Sequence, residues 1–140
     1  MFFSGQPLRW QALRKTGQVV MLAVALLAAP PVKARGEAAD PGAGLQTVAL
    51  SALPAQAGTT YRLVFSGGPF PYPKDGVVFG NRERVLPKAK RGFYREYTVP
   101  TPGDRHRGAR RIVCGGLVAT KPEACFYTGD HYASFQRIVQ

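Results

Sequence analysis

The sequence predicts an α+β domain: one helix near its start, then an antiparallel sheet. Three observations carry that prediction. Residues 54–66 repeat apolar side chains at helical spacing. Every later segment is short, rich in β-branched and aromatic residues, and closed by a turn signal. The chain of 140 residues is also long enough for only one small core once its first segment is set aside.

That first segment reads as a targeting signal. Arg9, Arg14 and Lys15 make a basic start, and Val19 to Ala29 is an unbroken apolar run. The run is shorter than the about 20 residues that span a bilayer. Pro30 and Pro31 end it, and Val32-Lys33-Ala34 offers small residues at signal-peptidase spacing. A buried core helix is the plainer alternative, but the charges precede the run and no cap follows it. The expectation is a secretory signal peptide over 1–34, cut within a few residues of Ala34, and a flexible leader without period over 35–47. A single domain over 48–140 follows. The mature chain is expected outside the cell, with periplasmic transit where a periplasm exists, off the membrane once the signal is removed, and monomeric.

Four of the 19 Lys and Arg precede the cut, whereas all 8 acidic residues follow it, so the mature chain keeps a balance of about +7. A positive balance favours phosphate-bearing partners and speeds their encounter, most at low salt. The two cysteines, Cys114 and Cys125, are read as one disulfide, because export leads to an oxidising compartment. Such a bridge closes a loop of roughly ten residues and contributes about 2–3 kcal/mol in the chain-entropy model. No metal is expected: two thiols and two histidines, His106 and His131, do not form a tetrahedral set at this spacing.

Within the domain, Leu53-Pro54 suits a helix entry, and Ala57, Tyr61, Val64 and Phe65 give one apolar face. Gly58, Thr59 and Thr60 are weak helix formers, so this helix must lean on packing. Ser66 to Gly76, with Gly-Gly, three prolines and Asp-Gly, is a loop. Strands follow at Gly76–Phe79, Phe93–Val99, Arg110–Cys114, Cys125–Thr128 and Tyr132–Val139. Alternation puts Tyr94, Glu96 and Thr98 on one face and Phe93, Arg95, Tyr97 and Val99 on the other.

One constellation suggests chemistry. RNA carries its own nucleophile, the 2′-hydroxyl; cutting it needs a base for that proton, an acid for the departing 5′-oxygen, and cations around the phosphorane. Glu96 can be the base, His131 the acid, and Arg107 and Arg111 a bidentate, permanently charged clamp. Alone, each has a plainer reading as a solvated strand glutamate, a turn histidine or an arginine-rich face; together they fit one reaction, with no metal or cofactor required. A second cluster, Phe79-Gly80-Asn81-Arg82-Glu83, can read a base. A Glu83 carboxylate accepts two parallel hydrogen bonds from the N1–H and amine of guanine, backbone N–H groups can meet O6, and Phe79 or Arg82 can stack. A strand-end turn with a capping Asn and a surface Glu fits the same residues equally well.

Several motifs resemble a known family. Leu50-Ser51-Ala52-Leu53-Pro54, Gly68-Pro69-Phe70-Pro71-Tyr72, Asp75-Gly76-Val77-Val78-Phe79, Asn81-Arg82-Glu83, Glu96-Tyr97-Thr98-Val99, Thr101-Pro102-Gly103, Arg107-Gly108, Arg110-Arg111-Ile112 and Tyr127-Thr128-Gly129-Asp130-His131-Tyr132 occur in the order found in the barnase-like, guanyl-specific microbial ribonucleases. The similarity covers roughly residues 50–138. It implies a helix packed on a curved antiparallel sheet with the site on the concave face. It also implies Glu96 as base, His131 as acid, Arg107 and Arg111 at the phosphate, Tyr132 in the site and Phe79 to Glu83 as the guanine loop. Cleavage of single-stranded RNA after guanosine through a 2′,3′-cyclic phosphate and inhibition by a barstar-like acidic protein are implied as well. Three positions depart from the pattern: Gly80 stands for a larger polar residue, Ala49 for a cysteine tied to the C-terminus, and His106 for a hydroxyl residue. His106 is read as a surface group. The competing reading is a basic secreted module that holds nucleic acid or other anions without cutting; whether a nuclease would scavenge or act as a toxin is left open by the sequence.

Overall fold

The computed structural model describes residues 42–140. The expected signal segment and all but the end of the expected leader lie outside them. The elements run β1 (Thr47–Ala49), a 3-10 turn (Leu50–Ala52), α1 (Ala55–Ser66), β2 (Val77–Val78), β3 (Tyr94–Thr98), β4 (Arg111–Gly115), β5 (Ala124–Thr128) and β6 (Gln136–Val139). The six strands form one sheet in the order β1-β6-β5-β4-β3-β2.

Helix α1 starts after Pro54 and ends at Gly67, which takes the left-handed conformation (φ 78°) that closes a helix without a Cβ clash. It buries Ala57, Thr60 and Val64, one stripe at helical spacing. The expected apolar face differs in one respect. Phe65 is 43% exposed, and the buried stripe runs through Thr60, whose hydroxyl donates to the Thr98 carbonyl at 3.0 Å. A polar side chain can serve the interface because it satisfies a backbone acceptor there.

The sheet has a core on each face. Under the helix lie Tyr97, Val99, Ile112, Cys114, Cys125, Tyr127 and Ile138. On the other face Tyr94, Val113, Ala124 and Phe126 pack with Leu86 and Phe135. This double burial explains why β4 and β5 are buried at every residue. Cys114 and Cys125 stand directly opposite in the β4–β5 ladder and are joined by a disulfide with Cα atoms 4.1 Å apart. The expected β3 alternation holds, with Tyr94 in one core and Tyr97 in the other.

Three differences separate the sheet from the sequence reading. It is not wholly antiparallel, since β1 runs parallel to β6, pairing Thr47 with Arg137 and Ala49 with Val139. Of the expected leader, Thr47 begins this edge strand and Leu45 packs on the outer core. The strand expected over Tyr132–Val139 is only Gln136–Val139. Before it, His131 and Tyr132 have φ of 55° and 73°, which no strand accommodates. The β2 strand is likewise cut to two residues.

The disulfide crosses neighbouring strands inside the helix-side core, so its loss opens both the chain and the packing. Replacing Cys114 and Cys125 together by Ala is expected to lower the unfolding free energy by about 2–3 kcal/mol, read as a shift of the urea midpoint.

Candidate active site

The site lies on the sheet face opposite the helix and is built on a transverse row. Thr98, Arg111 and Thr128 are paired across β3, β4 and β5, so their side chains share a face. All three are buried, at 1%, 3% and 1% exposure. Thr98 Oγ1 accepts a hydrogen bond from Arg107 Nε at 2.9 Å. Arg111 Nη1 donates to the carbonyls of Arg107, Gly108 and Arg110 at 3.2, 2.9 and 2.7 Å, fastening the loop that brings Arg107 back over the sheet. Thr128 Oγ1 donates to Asp130 Oδ1 at 2.8 Å and accepts from the Tyr132 amide at 3.1 Å.

The turn carrying His131 is therefore tied to β5 at its root. Asp130 also accepts from the Ser134 amide at 2.9 Å and from the Ser134 hydroxyl. These bonds from Ser134 and Thr128 hold its carboxyl down to about 2. The His131 amide donates to the Ala109 carbonyl at 3.1 Å, joining the turn to the arginine loop. The His131 imidazole stays exposed.

Glu96 sits one pleat from Thr98 on the same face. Its Oε2 accepts from the Tyr132 hydroxyl at 2.7 Å, and its Oε1 lies 3.7 Å from Arg107 Nη2. Arg107 Nη2 is also 3.7 Å from Asp75 Oδ1, and the Asp75 side chain is 1% exposed. Asp75 in turn accepts from the Thr98 amide at 2.7 Å. Tyr132 bridges Glu96 and His131: its ring lies 4.8 Å from that of His131, stacks at 5.1 Å on Phe79 and has the Arg111 guanidinium 6.0 Å from its centroid. Burial, then the hydrogen bond from its hydroxyl to Glu96, pushes the Tyr132 phenol up to about 12.

These groups open onto a groove of about 790 Å³ whose walls include Glu96, His131, Tyr132 and the whole of Phe79–Glu83. The expected catalytic pair and the expected base loop thus share one cavity. Arg107 approaches it through Glu96, and Arg111 through the Tyr132 ring. The Asn81 side chain caps the loop. Its amide donates to the Leu86 carbonyl at 2.8 Å and its Oδ1 accepts from the Leu86 amide at 3.1 Å, so the side chain frames the loop instead of facing a base. Its φ of 46° turns the chain there. Gly80, Arg82 and Glu83 remain exposed in the wall. His106 lies away from the groove, exposed, with its amide donating to Asp104.

Sequence reasoning missed Asp75 and Arg91. Arg91 lines the groove. Asp75, inside an Asp-Gly turn signal, looked like a turn former; its signal was that a carboxylate buried by an adjacent strand needs a cation. Two donors of the site have no hydrogen-bond partner although they are buried: Arg107 Nη2 and Arg111 Nε. Buried guanidinium groups left so are costly unless an anion completes them.

One helix on an open sheet, with a groove on the opposite face, is the architecture of the microbial ribonucleases, and similarity to known proteins agrees. A family model described as ribonuclease matches residues 36–139. The chain belongs to that ribonuclease family. It is 58% identical over 94 residues to guanyl-specific ribonuclease Sa of Kitasatospora aureofaciens, covering 67% of this chain and 94% of that one. To guanyl-specific ribonuclease St of Saccharopolyspora erythraea it is 50% identical over 93 residues, 66% of this chain and 87% of the relative. Among solved structures, ribonuclease Sa2 in complexes with mononucleotides superposes with a TM-score of 0.63 at 47% identity, over 69% of this chain and 95% of that one. A structure of ribonuclease Sa2 with guanosine-2′-cyclophosphate gives 0.61 at 48% identity, over 68% and 96%.

Because Asp130 is depressed from 3.8 to about 2 in the fold, its contribution is present above 3.8 and lost as pH falls through about 2. Stability of the wild type is expected to decline across that window more steeply than that of Asp130→Asn, followed by denaturant unfolding at stepped pH. The same variant is expected to cut activity several-fold near neutrality, because the turn presenting His131 loses the charge and the Oδ2 acceptor that Ser134 Oγ uses.

Proposed function

We infer that the protein is a guanyl-specific endoribonuclease that cleaves RNA 3′ to guanosine through a 2′,3′-cyclic phosphate. The observation that carries this reading is the shared groove: a carboxylate, an imidazole and a base-sized loop line one cavity, with Arg107 beside Glu96 and Arg111 beside the Tyr132 ring. Membership of the ribonuclease family and the guanyl specificity named for its relatives support it.

In this mechanism Glu96 takes the proton of the 2′-hydroxyl as that oxygen bonds to phosphorus. The bond from phosphorus to the 5′-oxygen breaks, and His131 gives its proton to the leaving oxygen. Water then opens the cyclic phosphate by the reverse path, with His131 as base and Glu96 as acid. Arg107 and Arg111 supply the positive charge for the phosphorane oxygens, and they have little reorganising to do because Thr98 and three carbonyls already hold them. The Tyr132 hydroxyl fixes the Glu96 carboxylate, and its ring keeps solvent from it. Guanine is read by Glu83 and by backbone groups of Gly80 to Arg82, with Phe79 beneath; no cofactor takes part in any step. The reading extends to a secreted, single-chain enzyme acting on single-stranded RNA, with a barstar-like acidic inhibitor as a fitting partner for the basic groove.

Glu96→Gln and His131→Ala are each expected to lower kcat on GpU by about 10²–10⁴-fold while far-UV and near-UV spectra stay native. Wild-type rates in both variants would remove the mechanism. Digestion of a defined RNA in chelator, with both new ends mapped, is expected to yield cyclic phosphates after G. Glu83→Gln is expected to narrow the gap between G and A sites more than it slows cutting at G; equal G and A rates in the wild type would overturn the loop assignment.

A further inference from the structure

Beyond the base loop the groove continues into a second recess of about 240 Å³, lined by Val78, Gly80, Asn81, Lys90, Arg91 and Tyr94 among others. The two cavities share Val78 to Asn81 and Arg91, but neither Glu96 nor His131 lines the second. The recess is therefore reached by passing the loop on the side away from the reacting groups.

The segment beside it is unusually basic. Residues 82–91 hold five cations, Arg82, Arg84, Lys88, Lys90 and Arg91, against the single carboxylate Glu83. Lys88, Lys90 and Arg91 are exposed, and among the described residues none of them has an ion pair. Nor is the segment loosely placed. Leu86 is 2% exposed in the outer core, the Tyr94 hydroxyl donates to the Pro87 carbonyl at 2.8 Å, and the Phe93 amide donates to the Lys90 carbonyl at 3.1 Å. Like charges held together without a counter-charge repel one another in the folded chain and attract a polyanion that reaches them.

The groove itself indicates which polyanion. The bond to be cut lies 3′ to the bound guanosine, at the end with Glu96 and His131. A strand running past the loop, away from that end, is taken as the part 5′ to that guanosine. We propose that Lys88 and Lys90, with Arg91 at the junction, form a subsite for phosphates of the RNA strand 5′ to the recognised guanosine. The protein then favours long strands over dinucleotides for a reason separate from the chemistry. This inference rests on the reading of the groove as the guanosine site.

Fluorescence anisotropy with uncleavable ligands tests it. Each ligand carries one 2′-deoxyguanosine, which removes the nucleophile; one is extended by several nucleotides on the 5′ side, one equally on the 3′ side, and one is the bare dinucleotide. The wild type is expected to bind the 5′-extended ligand most tightly. Lys88→Gln/Lys90→Gln is expected to lose about tenfold of that affinity at low salt, with the log–log salt slope flattening by about 1.4 for two lost contacts. Its affinity for the 3′-extended ligand and its cleavage of GpU are expected to stay at the wild-type level. An equal loss on the 3′-extended ligand, or no loss on either, overturns the subsite. Failure of the wild type to cleave GpU would overturn the reading of the groove instead, and the anisotropy series reads the strip independently of cleavage.

Discussion

The site depends on one buried row, Thr98–Arg111–Thr128, laid across three strands by the antiparallel register. Each member turns a side chain that could have been core into an anchor for a separate piece of the groove. Thr98 fixes the Arg107 side chain, Arg111 the loop from Arg107 to Arg110, and Thr128 the turn that offers His131. Register is set by the faces that must be buried, and a one-residue slip of β4 would move Arg111 under the helix and Ile112 into the groove. Packing of the apolar face and placement of the polar face are thus the same constraint.

That arrangement leaves the site electrostatically incomplete in a useful way. Asp75 and Glu96 flank Arg107 Nη2 at 3.7 Å each, near enough to hold it by charge and too far for hydrogen bonds. Arg111 has carbonyls on one nitrogen and an unpartnered Nε on another. A core built only for stability would have closed those donors or replaced them by apolar side chains. The cost falls on a face whose opposite side is packed and disulfide-linked.

Much of this was legible in the sequence, for reasons that also mark where legibility ended. The clear alternation of Tyr94–Thr98 put Glu96 on its face correctly, because a strand with cores on both sides still obeys a two-residue period. Motif order brought Glu96, His131 and the 79–83 loop together. β1 was not legible: three residues carry no period, and their pairing with β6 spans nearly the whole domain. The parallel ladder also supplies a non-covalent tie between the ends of the domain, at Ala49, where the family resemblance led one to expect a cysteine. The Tyr132–Phe135 stretch looked like strand because its aromatics are apolar; what overrode propensity was the set of hydrogen bonds from the turn amides to Asp130 and Thr128, which hold the turn in left-handed backbone. Asp75 was hidden because only the tertiary fold brings an Asp-Gly turn beside Arg107.

The base loop shows how a departure in sequence can leave a site intact. Gly80 is glycine where the family pattern has a larger polar residue, yet no backbone strain requires glycine there. A Cβ at that position would meet only the Arg82 side chain, at an ordinary 3.6 Å. The loop takes its shape from Asn81, whose amide spans to Leu86 from both its oxygen and its nitrogen, and from the Arg84 amide donating to the Asn81 carbonyl at 3.0 Å. Leu86 anchors that bridge in the outer core. The backbone groups that would face a guanine are therefore positioned from behind, by residues that never touch it. Residue 80 is free to lose its side chain because the rigidity of the reader lies one residue further along.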